Sequence, residues 1–438
     1  VNAHVEPAFD LAVQSNEPRT PLRVALLGFG TVGASVARIL AERSDLAERI
    51  QLTHVYNRGV GRKRVDWVAG SVAWTEELDD VFAASPDVIV EVMGGVEAVY
   101  PTVARALRQG ISVVTANKML LAHHGPELLR LAADNHALLR FEAAVGGGVP
   151  LIHGVREGLA GDLLTGVAGI LNGTCNYILS RMSQTGEPLE LVLADAQRLG
   201  YAEADPTADV DGHDAAAKLV VLAGIAFRGF LNLQDIPKYS IRPISSDDFQ
   251  YAKQLGCTIR QVSQVQGTPD GFYAFVGPVL VPSHSAFGRN DGANNVVSIF
   301  GKYGGESAFS GAGAGGPATA VAVVSDLLAL TVRGRRREVE EWVPAVFAPA
   351  PARPYYLRFV VHDRPGILAT IAAALARQHV NLDAVLQEPG YPKDRLPFVI
   401  TVEACEETAL RAALGDIQAL DWHAEPPLAL PMLAGEHS

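Results

Sequence analysis

Cysteine is scarce in this chain. Three cysteines among 438 residues, Cys175, Cys257 and Cys405, are too widely spaced for a disulfide framework or a zinc ligand set. So few thiols suit a reducing compartment, the cytoplasm. Positive charge is also short: 36 lysines and arginines against 48 acidic residues leave a formal net charge of −12. That balance argues against a nucleic acid or an anionic membrane surface as partner. No apolar run approaches the roughly 20 residues needed to cross a bilayer. The opening VNAHVEPAFDLAVQSNEPRT lacks the charged-then-apolar order of a signal peptide and reads as a mobile tail, 1–20. What is present, 48% hydrophobic and 19% charged residues, is the composition of a globular chain of two to four domains with a sizeable core.

The stretch Gly200 to Lys218, GYAEADPTADVDGHDAAAK, concentrates the charge. Glycines and Asp205-Pro206 mark Glu203 to Asp211 as an ordered loop, and a helix starts near Gly212-His213. Asp214 and Lys218 stand i,i+4 on that helix, so both side chains leave one face. The residues that follow are apolar, Leu219 to Leu222, which describes a buried helix with an ion pair at its mouth. An isolated pair of this kind is ordinarily a dipole-stabilised first turn. Behind a long acidic loop it is equally a site for proton transfer or amino-acid recognition.

Earlier in the chain, after Pro21, the run Val24 to Leu27 predicts a short buried strand, followed by Gly28-Phe29-Gly30-Thr31-Val32-Gly33 and an amphipathic helix. Strand, G-x-G-x-x-G and helix in that order form the dinucleotide-binding fingerprint: a tight turn, a close backbone approach to a pyrophosphate, and close helix–strand packing. The next strand ends at Asn57-Arg58 where an NAD site places an acid, and Gly61-Arg62-Lys63-Arg64 follows. A missing carboxylate with cations nearby favours a 2′-phosphate, hence NADP over NAD, with Arg58 as its ligand. Further strands, 86–95 and 110–118, are separated by a helix from Val99 to Gln109, giving a doubly wound parallel sheet. Ligands bind such sheets at the carboxyl edge, here Met93-Gly94 and Thr115-Ala116-Asn117-Lys118.

A helix GPELLRLAADNHA and a strand LLRFEAAV lead to Gly146-Gly147-Gly148. Three consecutive glycines bring backbone groups where side chains would stand, and can hold an anion through N–H groups or a hard cation through carbonyls; a plain hinge is the other use. In GILNGTCNYIL, Asn172 and Thr174 can cap a helix or touch a ligand. Cys175 at a helix start can be read as a nucleophile, without a base in the same stretch.

Together AAVGGGVPLI, GILNGTCNYIL and GYAEADPTADVDGHDAAAK resemble the catalytic region of homoserine dehydrogenases, and the fingerprint and TANK fit the same family. The resemblance spans about Pro21 to Gly334. It implies reversible NAD(P)H-dependent reduction of L-aspartate 4-semialdehyde to L-homoserine, on the path to threonine and methionine. It implies Lys218 as acid/base, Lys118 as a second active-site lysine, and Glu203 and Asp214 as substrate ligands. By the same resemblance, Thr115, Lys118, Gly200 and Gly315 approach the nicotinamide cofactor. A monovalent cation such as sodium is held through backbone near the glycine turn, at Glu142, Val145, Gly147 and Val149. Chemistry agrees: hydride delivery to an aldehyde leaves an alkoxide that an ammonium can protonate, and the substrate's ammonium needs carboxylate acceptors.

Between Phe227 and Gly301 strand-like runs (FYAFVGPVLVP, NNVVSIFG) carry no catalytic constellation; in the family this region completes the substrate domain and a dimer interface. The glycine-rich Ser310 to Pro317 opens an apolar helix that, by resemblance, returns to the nucleotide domain. RGRRRE and VPAVFAPAPARP read as a linker. The last segment alternates strand, helix, strand, strand, helix and resembles an ACT domain, a ferredoxin-like regulatory unit, with Gly366 at its first strand-to-helix turn. A helix N-terminus there can hold an amino-acid carboxylate. By resemblance Asn381 and Asp383 read the ligand's amino end, with threonine the usual effector.

The expected organisation is therefore a Rossmann-type doubly wound nucleotide domain over 21–145 with 310–334 returning to it, an α+β substrate and dimerisation domain over 146–309, a linker over 335–354, and an ACT domain over 355–438. A homodimer or homotetramer is expected, acting on a small molecule. Two other readings stand beside this one. One is an acylating aldehyde dehydrogenase using Cys175; the other is an amino-acid sensor that kept the fold without the chemistry.

Overall fold

The computed structural model describes residues 20–332 and 340–433. The expected N-terminal tail up to residue 19 and the basic RGRRRE stretch lie outside the described residues.

Strands β1 (Leu22–Leu27), β2 (Ile50–Tyr56), β3 (Ala73–Thr75), β4 (Val88–Glu91), β5 (Ser112–Thr115) and β6 (Leu139–Arg140) form one sheet in the order β3-β2-β1-β4-β5-β6. Every neighbouring pair in it is parallel. The order reverses beside β1, so the carboxyl ends of β1 and β4 open a crevice there. Val24 to Leu27 and Val88 to Val90 are buried, as a strand covered by helices on both faces must be. The two strands on the carboxyl edge end sooner than their apolar runs suggest. Gly94 and Gly95 take positive φ after β4, and Asn117 caps the next helix after β5. That helix, Lys118–Asp134, therefore starts seven residues before the GPELL motif, and LLRFEAAV yields only the two-residue β6 before a tight turn at Glu142–Ala144.

A second, antiparallel sheet follows. Its strands are β7 (Leu164–Ile170) and, after the two-residue β8 (Gly229–Phe230), β9 (Cys257–Thr268), β10 (Gly271–Pro282), β11 (Asn294–Gly301) and β12 (Gly305–Ala312), in the order β10-β9-β7-β11-β12. Helices Gly173–Thr185 and His213–Phe227 pack on β9 and connect it to the first sheet, because His213–Phe227 also lies against Lys118–Asp134. The helix Gly316–Leu330 packs along the fingerprint helix Thr31–Glu42, with Ala320, Val323 and Leu327 joining the core of Val24, Leu26 and Val36. Gly316 makes this close approach possible: a methyl group there would stand 2.7 Å from Ser35 Oγ and 2.8 Å from Thr31 Cγ2.

The segment before the last domain is not a free spacer. Strand β13 (Val343–Pro344) pairs parallel with β8, Trp342 is buried, and Val346 accepts from Phe272 N–H at 2.8 Å. The final sheet contains β14 (Arg353–Val361), β15 (Leu382–Leu386), β16 (Leu396–Cys405) and β17 (His423–Pro431), ordered β15-β16-β14-β17 and antiparallel throughout. Helices Ile367–Arg377 and Glu407–Gln418 complete the ferredoxin-like arrangement. This sheet is joined to the rest by a buried network. Asp248 Oδ2 receives Arg358 Nη1 at 2.5 Å and Asp248 Oδ1 receives the Tyr356 hydroxyl at 2.8 Å. Among the described residues no helix is long and apolar enough to cross a membrane.

Candidate active site

Gly212, at φ +82°, turns the chain into the helix His213–Phe227, whose first turn carries Asp214 and whose second carries Lys218. Asp214 sits where the helix dipole favours an anion. Lys218 Nζ donates to Asp214 Oδ2 at 2.8 Å and to the Leu171 carbonyl at 2.8 Å. Lys118 Nζ reaches the other oxygen, Oδ1, at 3.1 Å. Lys118 is the first residue of its own helix, where the dipole disfavours a cation by about 0.3–1 kcal/mol. Asp214 offsets that cost, so the two helix starts are tied through one carboxylate. Burial pushes the Asp214 carboxyl up, but Lys218 and then Lys118 outweigh it and hold the group below the usual carboxylate range.

Asn172 adds a third arm. Its Oδ1 caps the helix Gly173–Thr185 by accepting from Cys175 N–H at 2.8 Å, an interaction worth about 1 kcal/mol. Its Nδ2 donates to Asp214 Oδ2 at 2.9 Å and to Asp209 Oδ1 at 2.6 Å. Capping and site-building are thus done by opposite ends of one amide. Asp209 lies on the short helix Thr207–Val210, which replaces part of the expected loop. Burial raises its carboxyl above the ordinary range; Asn172 opposes that and the nearby Asp214 charge adds to it. Of Lys118, Lys218 and Asp214, Lys118 is the most open, with 35% of its side chain exposed against 13% for each of the other two. The mouth of the site is therefore on the Lys118 side.

The nucleotide fingerprint has the geometry its glycines require. A methyl group on Gly28 would stand 2.8 Å from the Val92 carbonyl oxygen, and one on Gly33 would overlap the Gly28 carbonyl. Gly30, by contrast, faces open space at the N-cap of Thr31–Glu42. That open cradle at a helix N-terminus is what a pyrophosphate needs, so the residues present fit a dinucleotide. Thr31 and Val32 form the helix's first turn, while Phe29 is buried on Trp74 with its ring 4.8 Å away and its N–H directed to Asn57 Oδ1. Arg58 is exposed and has no ion-pair partner among the described residues. Gly315 precedes the helix that packs on Thr31, and open space surrounds it. Thr115 is buried, its hydroxyl donated to Glu91 Oε2 at 2.6 Å.

The three glycines at 146–148 meet a second glycine turn. A methyl on Gly147 would stand 2.6 Å from the Gly313 carbonyl, and one on Gly148 3.0 Å from Ala318 Cβ. Two bare backbones thus pack face to face. The carbonyls of Val145 and Gly147 accept no hydrogen bond among the described residues, whereas Val149 O already accepts from Leu151 N–H at 2.8 Å. The Glu142 carboxylate is committed to Ile152 N–H at 2.9 Å and His153 N–H at 2.7 Å, leaving its backbone as the part a cation would use. The free carbonyls of Val145 and Gly147 are oxygen donors of the kind that a hard cation takes.

Other expected residues stand apart. Glu203 is exposed on the loop after the helix Leu189–Arg198, and its carboxylate has no hydrogen-bond or ion-pair partner among the described residues; Gln197 Nε2 holds its carbonyl at 3.0 Å. Gly200 begins that loop with φ +80°. Cys175 is fully buried, donates its thiol to Asp209 O at 3.2 Å, and is pushed well above the ordinary thiol range by burial and then by Asp209 and Asp214. A thiol in that setting is no nucleophile, which removes the acylating reading. In the final sheet Gly366 has φ +94° and open space before Ile367–Arg377, while Asn381 Nδ2 donates to Glu403 Oε2 at 3.1 Å and Asp383 accepts from Thr401 at 2.9 Å.

Glu91 was not singled out from sequence. It is buried at the end of β4 and accepts from Met93 N–H at 2.8 Å, Gly94 N–H at 3.2 Å and the Thr115 hydroxyl. The signal was a carboxylate ending an otherwise apolar buried strand. Asp209 was one acid among several in its loop, and only the fold shows that Asn172 couples it to Asp214.

Comparison with known proteins identifies the family. Residues 28–142 match the family model of the homoserine dehydrogenase NAD binding domain, residues 150–328 that of homoserine dehydrogenase, and residues 355–421 that of the ACT domain. The homoserine dehydrogenase of Mycobacterium bovis is 42% identical over 420 residues, covering 92% of this chain and 95% of its own. That of Neisseria gonorrhoeae is 34% identical, covering 95% and 99%. The crystal structure of a homoserine dehydrogenase from Thiobacillus denitrificans superposes with a TM-score of 0.87 at 34% identity, over 94% of this chain and 98% of that one. A hyperthermophilic archaeal homoserine dehydrogenase in complex with NADPH superposes with a TM-score of 0.61 at 27% identity, over 72% and 100%. With its nucleotide cradle, its lysine–aspartate–lysine cluster and its C-terminal ACT domain, the chain belongs to the homoserine dehydrogenase family of NAD(P)-dependent oxidoreductases.

Proposed function

We propose that the chain catalyses reversible reduction of L-aspartate 4-semialdehyde to L-homoserine, with NADP(H) preferred, using the Gly30 cradle and the Asp214 cluster. The observation that carries this reading is the pair of ammonium groups on one carboxylate, Lys218 at 2.8 Å and Lys118 at 3.1 Å. Bound nicotinamide supplies or accepts the hydride. Lys218 holds the proton that the developing alkoxide takes, with Lys118 at the open side of the same cluster, and solvent restores the proton afterwards. Asp214 orients both ammonium groups. Because Lys118, Lys218 and Asn172 engage its oxygens, the substrate's ammonium falls to Asp209 and Glu203 as well as to Asp214. Val145 and Gly147, joined by the Glu142 and Val149 backbone, would hold a monovalent cation, which would stiffen the two glycine turns.

Arg58, exposed and without an ion-pair partner among the described residues, supports a 2′-phosphate ligand. Equal kcat/KM with NADH and NADPH would count against it. The turn at Gly366 takes a small amino acid, with threonine the first candidate; full activity at millimolar threonine would argue against that. The enzyme works as a homodimer or homotetramer, a reading that light scattering checks. The experiment for the reaction itself follows NADPH consumption with L-aspartate 4-semialdehyde and identifies the product by mass. Homoserine upholds the assignment, and an inert, fully folded enzyme leaves the amino-acid sensor instead.

A further inference from the structure

The helices that carry the catalytic groups, Lys118–Asp134 and His213–Phe227, pack against each other, and Trp342 is wedged at their contact. Each helix has a glycine where it meets the indole. A methyl group on Gly125 would stand 2.5 Å from Trp342 Cζ3, and one on Gly224 would stand 2.5 Å from Cδ2 and closer still to Cε2. Glycine inside a helix is disfavoured by about 1 kcal/mol against alanine, so two helix-interior glycines under one ring mark a fitted contact. Gly125 lies seven residues beyond Lys118 and Gly224 six beyond Lys218, about two turns or ~10 Å along each helix.

The ring is fixed from several sides. Its Nε1 donates to Glu340 Oε1 at 3.0 Å, and Glu340 pairs with Arg156, which lies over the Phe141 ring. Phe141 meets the indole edge-on at 5.7 Å. The next residue, Val343, donates to Arg228 O at 2.9 Å, at the C-terminal end of the His213–Phe227 helix.

We infer that Trp342 is a positioning residue of the reaction, a spacer that sets how the two helices lie together and hence how Lys118 and Lys218 meet on Asp214. The inference rests on the reading of that cluster as the active site. Interiors are packed too tightly to absorb the loss of an indole without movement, and reacting groups displaced by an ångström lose rate rather than cofactor affinity.

The test is steady-state kinetics on the full chain, with each variant shown to be folded by circular dichroism and thermal melting. Trp342→Ala is expected to lower kcat about tenfold or more while KM for NADPH stays within about twofold. Gly224→Ala is expected to lower kcat as well, because its methyl group drives the ring outward. The double variant Trp342→Ala/Gly224→Ala recovers part of the loss, since the methyl enters the space the ring has left. Should Trp342→Ala not fold, Trp342→Phe and Gly224→Ala carry the test, each predicted to lower kcat without raising KM for NADPH. Folded Trp342 or Gly224 variants with wild-type kcat overturn the inference, as do strictly additive losses. Lys218→Ala is measured alongside. If it loses turnover while the Trp342 and Gly224 variants do not, the spacer role alone fails; if it keeps turnover, the cluster assignment fails first.

Discussion

Asp214 and Lys218, one helical turn apart, are joined by a 2.8 Å hydrogen bond from Nζ to Oδ2, and both side chains are largely buried. Removing the charge of Asp214 leaves two ammonium groups without the one carboxylate that both contact. Breaking a buried pair in this way costs about 3–5 kcal/mol. Asp214→Asn is therefore expected to lower the unfolding midpoint markedly and to lose activity. The folded carboxyl titrates below its unfolded counterpart. Its contribution to stability is thus complete above the unfolded aspartate range and is lost as pH falls through that range towards the folded value. Denaturant titrations should show the gap between wild type and Asp214→Asn narrowing below about pH 4. A gap independent of pH would contradict the ion-pair account.

Gly30 and Gly33 separate binding from folding. Gly30 faces open space, so Gly30→Ala should raise the Kd for NADPH about tenfold or more with little change in melting temperature. Gly33 is pressed on the Gly28 carbonyl, so Gly33→Ala should destabilise the sheet itself. Fluorescence titration with NADPH and thermal melting distinguish the two.

Arg358 and Asp248, both buried, form an ion pair at the junction with the ACT domain. Burial raises the Asp248 carboxyl, with Arg358 opposing. Arg358→Met strands the carboxylate and is expected to cost about 3–5 kcal/mol, whereas Arg358→Met with Asp248→Asn should regain most of that loss. Chemical denaturation of both variants checks the difference.

Much of this was legible in the chain. The fingerprint, the i,i+4 relation of Asp214 and Lys218, and the alternation that makes a parallel sheet are local patterns, and local patterns survive folding. Lys118 was legible only as a residue at a sheet's carboxyl edge; its contact with Asp214 joins residues 96 positions apart and needs the fold. The segment VPAVFAPAPARP read as a linker because prolines and alanines dominate it, yet its start is anchored by pairing with Gly229–Phe230. Trp342 was hidden for the same reason, since the glycines that receive it lie on helices distant in sequence.

The most direct test of the account is single-turnover reduction of L-aspartate 4-semialdehyde by Lys218→Ala with NADPH already bound. The account predicts a fall in the hydride-transfer rate of about a hundredfold or more, with the Kd for NADPH within a few-fold of wild type. A rate near wild type would contradict it.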